Sequence, residues 1–174
     1  PGENIIYNGG FEEGFNGWEV WPYDENFSMI IGTGHTMYNS DQSFEAFSGD
    51  SSLKLWGMYS DDYMLPEGNV HQTFHDHFGP GQQLEGSAWL MAHEDDYFGD
   101  GPSNFVMFAK YFDDEWGWYG MDTSEPFTSS DPMNEWQYRG VWCTVPDGAT
   151  MVQVGVMYSG GGGAVLIDDV YLHL

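Results

Sequence analysis

Short segments rich in β-branched and aromatic residues recur along the chain, separated by clusters of Gly, Asp, Asn, Ser and Pro. This alternation is typical of all-β proteins, and no segment has the periodicity of a long amphipathic helix. It predicts strands at 4–7, 18–21, 27–31, 52–59, 70–75, 83–92, 104–112, 136–145, 151–158 and 165–173, with a long loop at 113–132. About ten short strands in one chain favour a two-sheet antiparallel β-sandwich, the jelly roll.

Alternation within the strands separates core residues from surface residues, because successive side chains point to opposite sides. Aliphatic residues such as Leu55 occupy one side of their strands and define the core. Trp56, Trp89 and Trp142 fall on the other side and are predicted to face outward. Cys143 shares the aliphatic side of its strand, which predicts a buried and unreactive thiol.

The charge of the chain excludes one large class of partner. The sequence has 28 acidic residues against 3 Lys and Arg, which gives a net charge of −25. Phosphate backbones are bound through several cations, so nucleic acid is excluded, and sulfated or uronate polymers are disfavoured unless a cation bridges them. Strong acidity is tolerated best where salt screens the self-repulsion. We therefore expect a marine or halophilic setting, or a surface that also collects divalent cations.

The length of 174 residues is that of one domain, and we interpret residues 1–174 as a single unit. A composition of 41% hydrophobic and 18% aromatic residues supplies a core and excludes intrinsic disorder. No run approaches the ~20 apolar residues of a membrane span, and no signal-peptide pattern stands at the first residue. The single cysteine excludes an internal disulfide framework.

Several short motifs occur in a fixed order along the chain. They are NIIYNGGFEEG (4–14) followed by GW (17–18), SGDSSLKL (48–55), VHQTF (70–74), SAWL (87–90), a Trp ten residues before Pro146, and VLIDDVYL (165–172). In this order and spacing the chain, from residue 4 to its end, resembles the carbohydrate-binding modules of families 4, 16 and 22. The resemblance implies a β-sandwich jelly roll, a polysaccharide partner, and a secreted, extracellular location as part of a larger enzyme or surface protein. Residues 61–68 and 113–132 depart from the family pattern.

The first candidate site is a structural calcium site. Asp168 lies on the core side of the last predicted strand, where a carboxylate is costly unless paired, and cations are scarce. Calcium takes six to eight oxygen ligands and would satisfy it. The resemblance implies side-chain ligands from Glu12 and Asp168, carbonyl ligands from Gly10 and Lys54, and a weaker candidate in Asp50. The alternative is that both carboxylates are hydrogen-bonded to turn amides.

The second candidate site is an aromatic platform for sugar. A sugar ring has an apolar face that matches aromatic rings and a rim of hydroxyls that matches polar side chains. If their strands belong to one sheet, Trp56, Trp89 and Trp142 line a groove; alternatively, a loop covers any one of them. The other candidates are Tyr59, His93, Tyr111, Trp116, Trp118 and Gln153. Trp18 and Trp136 match motif positions that are structural in the resembling families.

His71, His75 and His77 share strand parity, and this spacing can chelate zinc. No cysteine ligand is near them. We therefore predict that they are solvated or form hydrogen bonds.

These observations favour a noncatalytic carbohydrate-binding module for a neutral β-glucan, xylan or related plant or algal polysaccharide. One alternative is an adhesion β-sandwich from a surface protein, which needs no aromatic platform. Another is a small jelly-roll glycoside hydrolase or polysaccharide lyase. A hydrolase needs two carboxylates about 5–10 Å apart, and no compact acidic motif is present. A lyase needs cations to neutralise a uronate, so we predict that the protein is not an enzyme.

Overall fold

The computed structural model describes residues 2–22, 28–34, 44–57, 67–94, 103–160 and 162–174. The strands are β1 (Glu19–Trp21), β2 (Ser28–Gly32), β3 (Ser51–Trp56), β4 (Glu67–His75), β5 (Gln83–Met91), β6 (Asn104–Phe112), β7 (Trp118–Thr123), β8 (Gln137–Thr144), β9 (Met151–Ser159) and β10 (Ala164–His173). Among these residues no helix is long and apolar enough to cross a membrane.

The strands form two five-stranded sheets. Sheet A has the order β1-β4-β9-β6-β7, and sheet B has the order β2-β3-β10-β5-β8. Every neighbouring pair is antiparallel. The predicted two-sheet antiparallel β-sandwich is therefore confirmed.

The core lies between the sheets and is built by the aliphatic side of the strands. In β9 the alternate residues Val152, Val154 and Val156 are buried, and Leu55 of β3 belongs to the same cluster. Cys143 is buried among them, and this burial raises the pKa of its thiol to about 12. Alternation in the sequence thus separated the core side from the outer side correctly in these strands.

The prediction for β10 was wrong. A bulge between Asp168 and Tyr171 shifts the alternation. Val170 and Leu172 therefore face the core, whereas Asp168 lies opposite Trp89 on the outer side of the sheet.

Two predicted segments differ from the structure. Strand β7 lies inside 113–132, which was expected to be a loop; it is an edge strand with mostly exposed side chains, so it carries no hydrophobic alternation. Residues 4–7, expected to be a strand, form no ladder. Two hydrogen bonds connect this segment to β10 instead. The Ile5 N–H donates to the Leu172 carbonyl at 2.8 Å, and the Asn4 side-chain amide donates to the Val170 carbonyl at 3.1 Å.

Asp122 of β7 links the two sheets at one edge. Its Oδ2 accepts the Tyr111 hydroxyl of β6 at 2.6 Å and the Thr144 backbone N–H of β8 at 3.2 Å. Burial and this neighbouring carboxylate raise the pKa of Tyr111, so the phenol stays protonated and donates. The link fixes the position of the hairpin between β6 and β7, which borders the site described next.

Candidate functional site

A groove with a volume of about 530 Å³ crosses the outer face of sheet A. Aromatic and hydrogen-bonding side chains line it: Glu19, Trp21, Glu67, Asn69, His71, Thr73, His75, Lys110, Phe112, Trp116, Trp118 and Gln153. These residues come from β1, β4, β9, β6 and the β6–β7 hairpin. The groove is therefore made by one face of one sheet and by the loop at its edge.

The floor of the groove is polar because of strand register. Thr73 of β4 lies opposite Gln153 of β9, which in turn lies opposite Lys110 of β6. Three polar side chains therefore form a row across three neighbouring strands. Hydroxyl, amide and ammonium groups in such a row can donate hydrogen bonds to a hydroxylated ligand, and the first two can also accept them.

The charged groups of the floor are paired. The ring of His71 lies 2.6 Å from Asn69 through Nδ1 and 3.2 Å from the Glu19 carboxylate through Nε2. Burial lowers the pKa of His71 more than Glu19 raises it, which favours the neutral ring. Lys110 forms an ion pair with Glu67. The positive charge of Lys110 is therefore neutralised by Glu67, and Glu19 remains an anion with a neutral hydrogen-bonding partner.

One wall of the groove is an aromatic hairpin. Trp116 and Trp118 are 59% and 58% exposed, and both rings contact Phe112 edge to face, at centroid distances of 5.4 and 5.5 Å. Trp116 adopts a left-handed backbone with φ of 65°. Asp113 supports this turn, because its Oδ1 accepts two backbone N–H groups of the loop at 2.9 and 2.7 Å. The two indoles are therefore held in place before any ligand binds.

The opposite wall carries Trp21, an exposed ring at the end of β1. Since β1 and β7 are the two edge strands of sheet A, the aromatic rings flank the polar floor from both sides. Rings at the walls and hydrogen-bonding groups on the floor match the apolar faces and the hydroxyls of sugar units.

The structure brings together three of the residues proposed from the sequence: Trp116, Trp118 and Gln153 all line the groove. Trp56, Trp89 and Trp142 face outward from one sheet, as their predicted platform required, but that sheet is sheet B, on the other side of the sandwich. One groove cannot contain both sets. Strand parity tells which residues face outward, but it does not tell to which sheet a strand belongs.

The remaining proposed residues lie elsewhere. Tyr111 points into the core from β6, since its neighbours Lys110 and Phe112 point outward, and His93 is buried just after β5. Tyr59 lies outside the described residues. Trp89 is covered by Phe47, whose ring stacks on it at 4.1 Å.

The two tryptophans assigned structural roles are both packed. Trp18 is in the main core and stacks on Phe11 at 5.0 Å. Trp136 packs, partly buried, against a smaller cluster that includes Phe44.

Sequence reasoning missed a large part of the groove lining, namely Glu19, Trp21, Glu67, Asn69, Lys110 and Phe112. His71 and His75 were expected to be solvated or hydrogen-bonding; both line the groove, and His71 is hydrogen-bonded. The alternate positions of His71, Thr73 and His75 were the one sequence pattern that indicated this groove, because they mark a polar outer face on β4. The other lining residues come from strands that are distant in sequence, and only the order of the strands in sheet A makes them neighbours.

Three of the residues proposed for calcium, Gly10, Glu12 and Asp168, lie close together beside the bulge of β10. Asp168 is fully buried; its two oxygens accept the backbone N–H groups of Ser48 at 3.1 Å and Asp169 at 2.8 Å. Burial raises the pKa of Asp168 to about 7. The Phe47 backbone also donates to this carboxylate. A carboxylate has about four acceptor positions, so these three bonds leave little more than one position for a cation. The donor set thus fits a hard cation in part.

Glu12 and Gly10 lie close to the Asp168 carboxylate. Glu12 Oε1 accepts the backbone N–H groups of Asp50 and Ser51 at 2.9 and 3.0 Å, so turn amides do bind these carboxylates. A Cβ at Gly10 would lie 3.8 Å from Oδ1 of Asp168 and 4.0 Å from Cγ of Glu12.

Lys54 lies opposite Leu166, two residues before Asp168 in β10, so its carbonyl has the weakest geometric support. In the part of the chain that the structure describes, no three His, Cys, Asp or Glu side chains converge on a metal position. Any metal here would therefore depend on backbone carbonyls and solvent to complete its ligands.

Solved structures share this fold. The C-terminal family 22 carbohydrate binding module of Clostridium thermocellum Xyn10B is 19% identical, with a TM-score of 0.66 over 97% of this chain and 91% of that chain. A family 16 carbohydrate binding module is 18% identical, with a TM-score of 0.63 over 98% of this chain and 100% of that one. A Clostridium thermocellum structure that joins a family 22 module to the catalytic module of a xylanase is 14% identical, with a TM-score of 0.61 over 98% of this chain and 29% of that chain.

No protein-family model matches the sequence, and no curated protein matches it. The likeness is therefore one of structure, at identities below a fifth. The resemblance predicted from the ordered motifs is confirmed at the level of the fold. This chain has the β-sandwich fold of the carbohydrate-binding modules of families 16 and 22.

Proposed function

We propose that the protein is a noncatalytic module that binds a polysaccharide in the groove on sheet A. One observation carries the proposal: an open groove has a polar floor between aromatic walls, formed by Trp21 on one side and by Trp116 and Trp118 on the other. The solved structures with the same fold include modules described as binding carbohydrate, which supports the same ligand class.

The ligand we propose is neutral: a β-glucan, a xylan or a related plant or algal polysaccharide. Glu19 and Glu67 line the groove, and the positive charge of Lys110 is already paired with Glu67. A uronate or sulfate group would meet these carboxylates without a free cation among the groove-lining residues. Electrostatic repulsion in a partly dehydrated groove disfavours such groups.

The same pairing supports a noncatalytic role. Hydrolysis of a glycosidic bond needs one carboxylic acid and a second carboxylate that acts on the substrate. In the groove, Glu19 accepts from Thr73 at 3.3 Å and contacts His71, while Glu67 pairs with Lys110. Both carboxylates of the lining therefore have protein partners on the floor.

We further propose that a structural calcium ion is bound by the side chains of Glu12 and Asp168 with the Gly10 carbonyl. The full burial of the Asp168 carboxylate, with no cationic side chain among its hydrogen-bond partners in the described part of the chain, is the observation in favour. Calcium would offset its desolvation and tie the first turn to the last strand. A secreted location, as one module of a larger polysaccharide-degrading enzyme or surface protein, is part of the same proposal.

The groove is tested by titration calorimetry with xylohexaose, cellohexaose and laminarihexaose. We expect one of them to bind, and we expect the double variant Trp116→Ala/Trp118→Ala to weaken that binding about tenfold or more, since each aromatic contact contributes about 1 kcal/mol. Met29→Ala, which removes an exposed apolar side chain from the opposite sheet, is the control and keeps wild-type affinity.

Unchanged affinity in the double variant, with an unaltered melting temperature, would remove the groove assignment. If no oligosaccharide binds and the protein adsorbs to no polysaccharide, an adhesion or structural role takes the place of the proposed function.

A further inference from the structure

The outer face of sheet B carries a second group of exposed aromatic side chains. Trp142 and Tyr138 of the edge strand β8 are 74% and 48% exposed. They are four residues apart on the same side of the strand, which places their Cα atoms about 13 Å apart at ~3.3 Å per residue. Two rings therefore stand in line along the edge strand of the sheet.

Two more aromatic rings lie next to Tyr138, on the side toward the middle of the sheet. Trp89 of β5 lies opposite Tyr138 in the register, and the rings meet edge to face at 5.6 Å. Phe47, also exposed, stacks on Trp89 at 4.1 Å with an interplanar angle of 17°. We call Trp142, Tyr138, Trp89 and Phe47 the outer aromatic strip.

Tyr138 is held close to the strand. A Cβ at Gly140 would lie 3.1 Å from Cε1 of Tyr138, so the ring lies over the space that a side chain at this position would fill. The absence of a side chain on Gly140 lets the ring lie along β8 between Trp89 and Trp142. Tyr138, Trp89 and Phe47 are therefore ordered by packing within the protein, and Trp142 stands beside them with most of its surface exposed.

Polar groups border the strip. Glu85 lies opposite Trp142 in the register, and its carboxylate lies 3.2 Å from Nε2 of His173 on β10. An apolar ring beside a carboxylate and an imidazole offers stacking and hydrogen bonding together, which is the combination that a sugar unit uses.

The net charge of the protein limits which kinds of partner the outer aromatic strip can bind. A second copy of this chain would bring a net charge of −25 against another −25, and an anionic membrane or nucleic acid would also be repelled. A neutral surface of sugar rings has apolar faces and hydroxyls and carries no such cost. The occupant with the matching chemistry is therefore a neutral glycan.

We infer that the outer aromatic strip is a second glycan-contacting surface, which binds chains exposed on insoluble polysaccharide while the groove on sheet A binds a separate chain. The inference rests on the proposed function for the ligand class, but it uses different residues on the opposite face. Because the two surfaces face away from each other, they cannot hold the same stretch of one chain.

The test compares two kinds of binding in four proteins: wild type, the strip variant Tyr138→Ala/Trp142→Ala, the groove variant Trp116→Ala/Trp118→Ala, and the four-fold combination. Binding to the hexasaccharides is measured by calorimetry, and binding to insoluble xylan and cellulose by depletion from solution. Met29→Ala removes another exposed apolar side chain from sheet B and serves as the control.

We expect the strip variant to keep the hexasaccharide affinity within twofold and to lose about fivefold or more in partitioning onto an insoluble polysaccharide. The groove variant should lose hexasaccharide binding and keep a residual insoluble binding that disappears in the four-fold variant. Circular dichroism melting curves confirm that each variant is folded.

Insoluble binding by the strip variant equal to that of wild type would overturn the inference, and so would a wild type that adsorbs to neither polymer. Sedimentation velocity provides a further check: a wild-type dimer that the strip variant converts to monomer would make the strip a contact between copies instead. If hexasaccharides fail to bind while the strip variant alone lowers adsorption, the groove proposal fails and this one stands.

Discussion

His71 shows how a single side chain connects the floor of the groove to pH. Its ring is buried between Asn69 and Glu19, and Lys110 is close enough to lower its pKa further. Burial is the largest cause, so the folded protein holds the ring neutral at a pH where the unfolded chain begins to take up a proton.

The contribution of His71 to the stability of the protein should therefore fall as the pH drops below the unfolded value of about 6.5. Between that value and the lower pKa of folded His71, the unfolded state binds more protons at this residue, so its contribution to the free energy of unfolding rises with pH and levels off above it. We expect urea unfolding between pH 5 and 8 to give a steeper loss for wild type than for His71→Gln. Parallel curves for the two proteins would contradict this assignment.

At the scale of the element, the β6–β7 hairpin is the part of the fold that differs most from the prediction, and it forms one wall of the groove. The sequence predicted a loop there, because WYGMDT contains a glycine and no alternation of buried and exposed residues. Edge pairing with β6, which alternation cannot reveal, makes it a strand. Trp116 and Trp118 were proposed as sugar-contacting candidates because they lie in the expected loop, and they border the groove on sheet A rather than the expected platform on sheet B.

The outward-facing tryptophans of sheet B show the same limit, since the sequence did not indicate to which sheet each strand belongs. The outward direction of Trp56, Trp89 and Trp142 followed from parity with buried neighbours. Whether they shared a face with Gln153 depended on long-range pairing between β4, β9 and β6, for which the local sequence holds no signal. The fold could therefore be predicted in outline, and the site only in part.

Asp113 should act as a positioning residue for the indoles of the hairpin. It accepts two backbone N–H groups of the turn in which Trp116 is left-handed. We expect Asp113→Ala to lower hexasaccharide affinity about two- to tenfold, because ordering a side chain on binding costs about 0.5–1.5 kcal/mol. Asp113→Asn keeps an acceptor oxygen and should recover most of the loss, as calorimetry will measure.

Asp114→Ala is the matched control for that experiment. Asp114 carries the same charge one residue later, but its carboxylate accepts the Thr150 hydroxyl at 2.7 Å and no backbone group of the turn. If Asp114→Ala weakens binding as much as Asp113→Ala does, the effect is one of charge and the positioning role is wrong.

At the scale of the whole molecule, a strongly acidic chain encloses the fully buried carboxylate of Asp168 on the outer side of sheet B. Asp168 joins the start of the chain, through its proximity to Gly10, to the segment around Ser48 and to β10. An anion in this position is compensated best by a cation that also takes ligands from those segments.

Removal of calcium should therefore lower the melting temperature of wild type. Ligand present at a hundred times its dissociation constant stabilises a protein by about 2.7 kcal/mol, and each kcal/mol corresponds to about 2–4 °C at this chain length. We expect a decrease of about 5–10 °C in EDTA, no decrease for Asp168→Asn, and a wild-type response for the surface control Asp147→Asn. Hexasaccharide affinity should stay unchanged.

An identical melting temperature for wild type with and without the chelator would count against the calcium site. A melting response shared equally by Asp168→Asn would place any calcium elsewhere on the acidic surface.

The carboxylate of Asp122, which accepts from Tyr111 on sheet A and from Thr144 on sheet B, also has a mechanical meaning. If glycan chains are held on both outer faces, a force that separates those chains is transmitted through the sandwich from one sheet to the other. The interdigitated core resists sliding between the sheets, and Asp122 fastens the edge next to the hairpin. The protein then behaves as a rigid cross-link between fibres, and its strength under load is set by the interface between its own two sheets.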